Sequence, residues 1–172
     1  MSEIRLSVVQ GDITTQRTDA VVNAANRAMR GGSGVDGAIH RAAGPGLLVE
    51  CRQRFPRGLA TGAAGWTSGH DLPARWVIHV VGPNRHAGET DRGLLTSCYA
   101  GALAVADELG ARSVAFPLIS AGAYGWPLED AVAAALDTLA GTPSDVEEAR
   151  LVAFGGPAYD VVRTALGQRH PS

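Results

Sequence analysis

Charge of one sign is what this chain most lacks. Its fifteen basic residues lie scattered among seventeen acidic ones, for a formal net charge of −2. A broad grip on duplex nucleic acid needs a basic stripe, and none stands out, so any anionic ligand must be held locally by backbone amides or a few side chains. Cysteine is scarce as well. Cys51 and Cys98 make neither a CxxC pair nor a disulfide framework, as expected of a protein in a reducing cytosol. No segment approaches ~18 consecutive apolar residues and no apolar run follows Met1–Leu6, so a soluble, cytoplasmic protein with no membrane partner is expected. The histidines (His40, His70, His79, His86 and His170) show no HxH, HExxH or Cys/His spacing, which predicts no metal site. His79 lies within an apolar run and reads as a satisfied core histidine. Two further motifs are missing: there is no phosphate loop of the GxxxxGK(S/T) kind, and Leu118 stands where a GxSxG elbow around Ser120 would need glycine.

What is present suits one compact domain over residues 1–172, with its core about 4–166 and a frayed tail at 167–172. Hydrophobic residues make up 45% and charged residues 19%, the balance of an ordinary globular chain. The unusual component is glycine, with 22 residues that cluster: Gly31, Gly32, Gly34 and Gly37 in one group, Gly122 and Gly125 in another. Clustered glycines mark backbone that turns sharply or approaches a ligand closely.

Strands and helices alternate along the chain. Ile4–Val9 and Ala20–Val22 read as strands, Val35–Ala43 and Leu47–Phe55 as helices around a Gly44-Pro45-Gly46 break, and Ala63–Thr67 as a weaker strand. Trp76–Val81 reads as a strand buried on both faces, Gly93–Leu109 as a helix closed by Gly110, and Ser113–Ile119 as another buried strand. Pro127 suits the first turn of a helix carrying Leu128, Val132, Leu136 and Leu139. Arg150–Phe154 and Ala158–Leu166 complete the pattern, and Asn84–Arg92 is the most exposed-looking linker. This order predicts an α/β fold, a three-layer α/β/α sandwich with a central mixed sheet. Ligands of such sheets bind beyond the carboxyl ends of strands, which is where both glycine clusters fall.

Each candidate has a functional and a plain reading. Ser120-Ala121-Gly122-Ala123-Tyr124-Gly125 runs from a buried strand toward a helix start, either as a phosphate cradle or as a turn of small residues. Gly32-Ser33-Gly34-Val35-Asp36-Gly37 matches GxGxxG, but Asn26–Arg30 separate it from the preceding strand, which argues against a dinucleotide fingerprint. Asp36 is the telling residue there: a carboxylate beside a phosphate cradle would be repelled unless it has a task, the alternative being a helix-start acid stabilised by the dipole. Asn23 and Asn26 could fix sugar hydroxyls or make turns. Asp12 could accept a bond from an exocyclic amine or cap the segment Ile13-Thr14-Thr15. Phe154 could stack on a base or pack in the core.

Taken together, Gly11–Thr14, Asp19–Asn26 (DAVVNAAN), Gly31–Ala43 (GGSGVDGAIHRAA), Leu72–His79 and Ile119–Pro127 closely resemble a macrodomain over nearly the whole chain, in the branch of the MacroD-type ADP-ribosyl hydrolases. The resemblance implies binding of ADP-ribose and hydrolysis of mono-ADP-ribose esters on Asp or Glu side chains of proteins, with O-acetyl-ADP-ribose as a further substrate. It leaves a non-catalytic reader and an ADP-ribose 1″-phosphate phosphatase as alternatives. Asp12 and Ile13 would serve the adenine end with Phe154 stacked nearby. Gly34, Val35 and the loop Ser120, Ala121, Gly122, Ala123, Gly125 would hold the diphosphate. Asn26 would fix the distal ribose with Asn23 in support, Asp36 would orient or activate water, and Tyr124 would shape the ribose pocket. No cofactor is implied, and the expected partners are mono-ADP-ribosylated proteins met by a monomer, with ADP-ribosylated nucleic acid left open. Ala121, Tyr124 and His70 replace the branch's usual threonine, phenylalanine and tyrosine.

Overall fold

Six strands pair into one mixed sheet in a computed structural model that describes residues 3–169. They are β1 (Arg5–Gln10), β2 (Ala20–Ala25), β3 (Ala64–Ser68), β4 (Trp76–Val81), β5 (Ser113–Phe116) and β6 (Glu148–Ala153), in spatial order β1-β6-β5-β2-β4-β3. All neighbours run parallel except β3, which pairs antiparallel with β4 at one edge. Five α-helices accompany them: α1 (Gly34–Ala43), α2 (Pro45–Arg54), α3 (Arg92–Leu109), α4 (Leu128–Gly141) and α5 (Gly156–Arg169).

The period-two geometry of the strands divides the core into two layers. Val22, Ile78, Val80, Val114, Phe116 and Leu151 face α3, α4 and α5, where Leu95, Tyr99, Leu103 and Leu136 meet them. Val21, Ala25, Val77, Ala115 and Val152 face the other way, onto Ile39 of α1 and Leu47 and Cys51 of α2. Burial of each large aliphatic side chain stabilises the sandwich by about 1.5–3 kcal/mol. The three-layer α/β/α sandwich around a mixed sheet is therefore observed.

The boundaries shift from those read in the sequence for local reasons. β5 stops at Phe116, short of the expected Ile119, since Pro117 has no N–H to continue the ladder. β2 runs three residues past Val22, because Asn23, Ala24 and Ala25 stay in register with His79, Val80 and Val81 of β4. Gly44 separates α1 from α2 at φ +86°, while Pro45 belongs to α2 as its first residue. Pro127 precedes α4 as its N-cap instead of lying inside the first turn. α5 extends through Arg169, so residues 167–169 of the expected tail are helical, and 170–172 lie outside the described residues. The exposed linker 84–92 holds one short 3-10 turn, Arg85–Ala87.

Having left the sheet at Pro117, the chain needs another anchor before it enters the second glycine cluster. Tyr99 on α3 provides it. Its fully buried hydroxyl accepts a bond from the Ile119 amide at 3.0 Å and donates to the Pro117 carbonyl at 3.3 Å. Removing the oxygen while keeping the ring leaves a buried amide and a buried carbonyl without partners. Tyr99→Phe is expected to lower stability by about 1–3 kcal/mol, read from the midpoint of urea unfolding. An unchanged midpoint would show that the Ile119 amide finds another acceptor.

Candidate ligand site at the carboxyl edge of the sheet

The five parallel strands end on one edge, and the residues singled out in the sequence collect there. At the β1–β6 end, the Gly11 amide donates to the Ala153 carbonyl at 3.0 Å, which sets Asp12 alongside Phe154. Asp12 caps the turn Ile13–Thr15: its Oδ1 accepts from the Thr14 amide at 2.8 Å and from the Thr14 hydroxyl at 2.7 Å. Capping is thus one of its roles, and Oδ2 stands outside that cap. Ile13 is buried under α1. Phe154 is 88% exposed, which excludes core packing and leaves an aromatic face open beside Asp12.

Two sets of backbone donors follow. Ser33 occupies the N-cap of α1 without a side-chain bond to the helix, so the amides of its first turn keep no capping acceptor. Gly34, at φ +59°, would present any Cβ to open space but in a conformation that strains every other residue. In the second loop, the amides of Ala121, Gly125 and Trp126 turn inward to Leu118, Gly122 and Ser120. Among the described residues, those of Gly122, Ala123 and Tyr124 donate to no backbone carbonyl. Consecutive free amides of this kind form an anion-binding concavity. Trp126 and Pro127 separate the loop from α4, so the donors come from the loop itself more than from that helix's dipole.

The second loop is held by close approach. Ser120 is buried in the left-handed region at φ +66°, and its hydroxyl donates to the Pro83 carbonyl at 2.8 Å. A Cβ at Gly82 would collide with the Ser120 hydroxyl and come within 2.6 Å of Ile119. Only glycine after β4 lets the loop lie this close. On the outer side, the Arg85 amide donates to the Tyr124 carbonyl at 2.9 Å, and His86 packs against Gly125, so the linker after β4 braces the loop.

Asp36 lies in the first turn of α1, 5% exposed, at the centre of the polar contacts. Its Oδ1 accepts from Asn23 Nδ2 at 2.9 Å, and His40 Nε2, one helical turn on, stands 3.4 Å from the same oxygen. Its Oδ2 turns the other way: a Cβ at Gly32 would lie 3.1 Å from Oδ2 and 3.3 Å from Asn26 Nδ2. Asp36 and Asn26 therefore converge across Gly32. Asn26 itself donates to the Gly31 carbonyl at 3.1 Å and accepts from the Met29 amide at 3.2 Å, shaping the turn into the glycine run. Asn23 is wholly buried behind Asp36, so it reaches the edge only through that carboxylate.

His79 is the core histidine that the apolar run predicts, but it has polar company. It contacts Asn23 Nδ2 through Nδ1 at 3.2 Å and the Thr67 hydroxyl through Nε2 at 2.9 Å. Burial first, and the charge of His40 second, push His79 down to about 3, so it is neutral. From the sequence alone, neither His40 nor Thr67 is given a role at this site. The four-residue spacing from Asp36 to His40 on one helix face could have flagged the first. Nothing local in the sequence flags Thr67, whose link to His79 arises from strand pairing. Among the described residues no group of three or more His, Cys, Asp or Glu side chains is placed to hold a metal ion, and no helix is long and apolar enough to cross a membrane.

Known proteins resemble this chain in sequence and in fold. The macro domain family model matches residues 22–135. A macro domain-containing protein of Streptomyces coelicolor is 53% identical over 94% of this chain and 98% of its own length. The human ADP-ribose glycohydrolase MACROD2 is 50% identical over 78% of this chain, which corresponds to 32% of that longer protein. Among solved structures, the Trypanosoma brucei macrodomain in complex with ADP-ribose superposes with a TM-score of 0.88 at 36% identity, covering 95% of this chain and 69% of its own. With a family model spanning most of the sheet and its site, and relatives aligned nearly end to end, the chain belongs to the macro domain family.

Proposed function

We propose that this chain binds ADP-ribose along the carboxyl edge of its sheet and hydrolyses mono-ADP-ribose esters on Asp and Glu side chains of proteins. The observation that carries the reading is Asp36. A buried carboxylate has one oxygen tied to Asn23 and the other turned beside Asn26, next to two groups of unengaged amides. A purely structural helix-start acid needs only the dipole and solvent. This one is withdrawn from solvent and oriented.

The order of features along the edge matches the order of parts in ADP-ribose. Phe154 offers a stacking face and Asp12 an acceptor for the adenine amine at the β1–β6 end. The amides of α1 and of the loop 122–124 take the diphosphate without any cationic side chain, consistent with a net charge of −2. Donors fixed by the fold need little reorganisation when charge arrives. Asn26, Asp36 and Tyr124 then surround the distal ribose. MACROD2, half identical over the aligned region, is an ADP-ribose glycohydrolase, and the trypanosomal macrodomain holds ADP-ribose itself.

The chemistry follows from one basic oxygen. Oδ2 of Asp36 accepts a proton from a water as that water attacks C1″ of the distal ribose. The bond from C1″ to the ester oxygen breaks, and the protein carboxylate leaves with the bonding pair. A carboxylate is a stable leaving group, so no general acid is required, and Asp36 returns its proton to solvent. Holding water and sugar in line supplies the rest. O-acetyl-ADP-ribose would present an ester to the same water.

Three outcomes are expected. By calorimetry, ADP-ribose should bind in the micromolar range, about −8 kcal/mol, with AMP much weaker; equal affinities would remove the diphosphate and ribose from the reading. Phe154→Ala should weaken ADP-ribose binding by about 1–3 kcal/mol, the scale of one base stacked on an aromatic ring, and unchanged affinity would place the adenine elsewhere. Asp36→Ala should lose release of ADP-ribose from a glutamate-linked protein substrate by about 100-fold or more while binding free ADP-ribose nearly as well. A folded Asp36→Ala protein with full activity would move the chemistry to Tyr124 or to a phosphate of the substrate, and a wild-type protein that binds without releasing would be a reader.

A further inference from the structure

Behind the site, four polar side chains from four different elements are enclosed in the layer between sheet and α1. Asp36 comes from α1, Asn23 from β2, His79 from β4 and Thr67 from β3, and all four are buried. They form one chain of contacts, Asp36 Oδ1 to Asn23 Nδ2, Asn23 Nδ2 to His79 Nδ1, and His79 Nε2 to Thr67 Oγ1, with His40 Nε2 as a second and more distant neighbour of Oδ1 at 3.4 Å. The Phe55 ring stands edge-on to the imidazole, centroids 6.0 Å apart, and closes it from the end of α2. A Cβ at Gly65, the β3 residue paired with His79, would meet that ring, so the glycine makes room for the seal.

The chain has a direction. A neutral imidazole has one donor and one acceptor nitrogen. Asn23 turns its nitrogen toward both Asp36 and His79, and its own carbonyl oxygen is buried without a partner among the described residues. Leaving that acceptor unmet is unfavourable, so the orientation must be imposed by what the two hydrogens do. One goes to the Asp36 carboxylate in a charge-assisted bond, and the other goes to His79 Nδ1. Nδ1 is then the acceptor, Nε2 carries the hydrogen, and Thr67 Oγ1 accepts it. The opposite imidazole tautomer would require Asn23 to present its oxygen. Two acceptors would then face each other at Asn23 and Asp36 unless Asp36 held a proton on Oδ1.

We propose that His79 and Thr67 are positioning residues for Asp36: by fixing the imidazole tautomer they hold the Asn23 nitrogen on Oδ1, which leaves Oδ2, on the side of Asn26, as the oxygen that works. The role in turnover rests on the reading of Asp36 as the group that activates water, whereas the tautomer does not. Neither His79 nor Thr67 touches the ligand, so their effect is on the reacting geometry and not on affinity.

The test combines nitrogen NMR of the full chain with steady-state release of ADP-ribose. His79 should appear as the Nε2–H tautomer throughout the range from about pH 5 to pH 8. Thr67→Val removes one oxygen at nearly constant volume. It should raise the share of the Nδ1–H tautomer, shift the side-chain amide signals of Asn23, and lower kcat about tenfold, the lower end for partners behind a reacting group, with KM within about threefold. His79→Asn, whose oxygen can replace Nδ1 as acceptor, should keep several times more turnover than His79→Leu. An Nδ1–H tautomer in the wild type overturns the relay. So does a Thr67→Val protein whose Asn23 signals are unmoved, or one that changes tautomer and keeps its kcat. Should the wild type release no ADP-ribose, the hydrolase reading fails instead, and the tautomer and Asn23 signals still decide the relay.

Discussion

Burying one carboxylate against the sheet is the constraint on which the site depends. Asp36 could satisfy the α1 dipole from an exposed position, yet it is turned in against β2 and met by Asn23 at 2.9 Å. A buried carboxylate needs donors, and donors on a sheet face are available only where a strand places a polar residue among apolar ones. That requirement accounts for Asn23 within an otherwise apolar β2, for His79 opposite it in register on β4, and for Gly32 and Gly37, whose lack of side chains lets α1 approach. The same constraint fixes where α1 begins, and with it where the free amides of its first turn point.

The other half of the site is built by a different means. The loop after β5 carries no charge at all, and its form comes from a strained Ser120, a Pro83 carbonyl and a glycine after β4 that permits contact. Tyr99 fixes its entry from the opposite layer. Amides arranged this way can meet an anion without the desolvation that an arginine would bring, and they remain in place when the site is empty.

Much of this was legible in the sequence. The alternation of apolar runs gave the layers, and the glycine clusters after strands marked the carboxyl edge at which the candidate residues collect. Asp36 stood out because a carboxylate beside an anion cradle is repelled unless it has a task, although a helix-start acid also suits the dipole. Other features depend on pairing that no local pattern reveals. Asn23 reads as the start of a loop from its neighbours, and becomes a strand residue only because β4 continues beside it. Asp12 kept two readings because a short acid after glycine serves both, and the structure realises the cap without removing the other. Phe154 was ambiguous for a related reason: a strand's last residue faces either the core or the solvent depending on where the ladder ends, here at Ala153.

The antiparallel β3 closes the sheet at the edge where the His79 hydrogen bond is received. Edge strands have a ladder on one side only, so they open more readily than central ones, in local fluctuations that leave the rest of a domain folded. Thr67 would part from His79 in such an opening while β2, β5 and β6 stayed paired. The fraying of a peripheral strand, too small to register as unfolding, thus sits in series with the orientation of a carboxylate two strands away. The heat resistance of the sandwich and the heat resistance of its site are separate properties of one molecule.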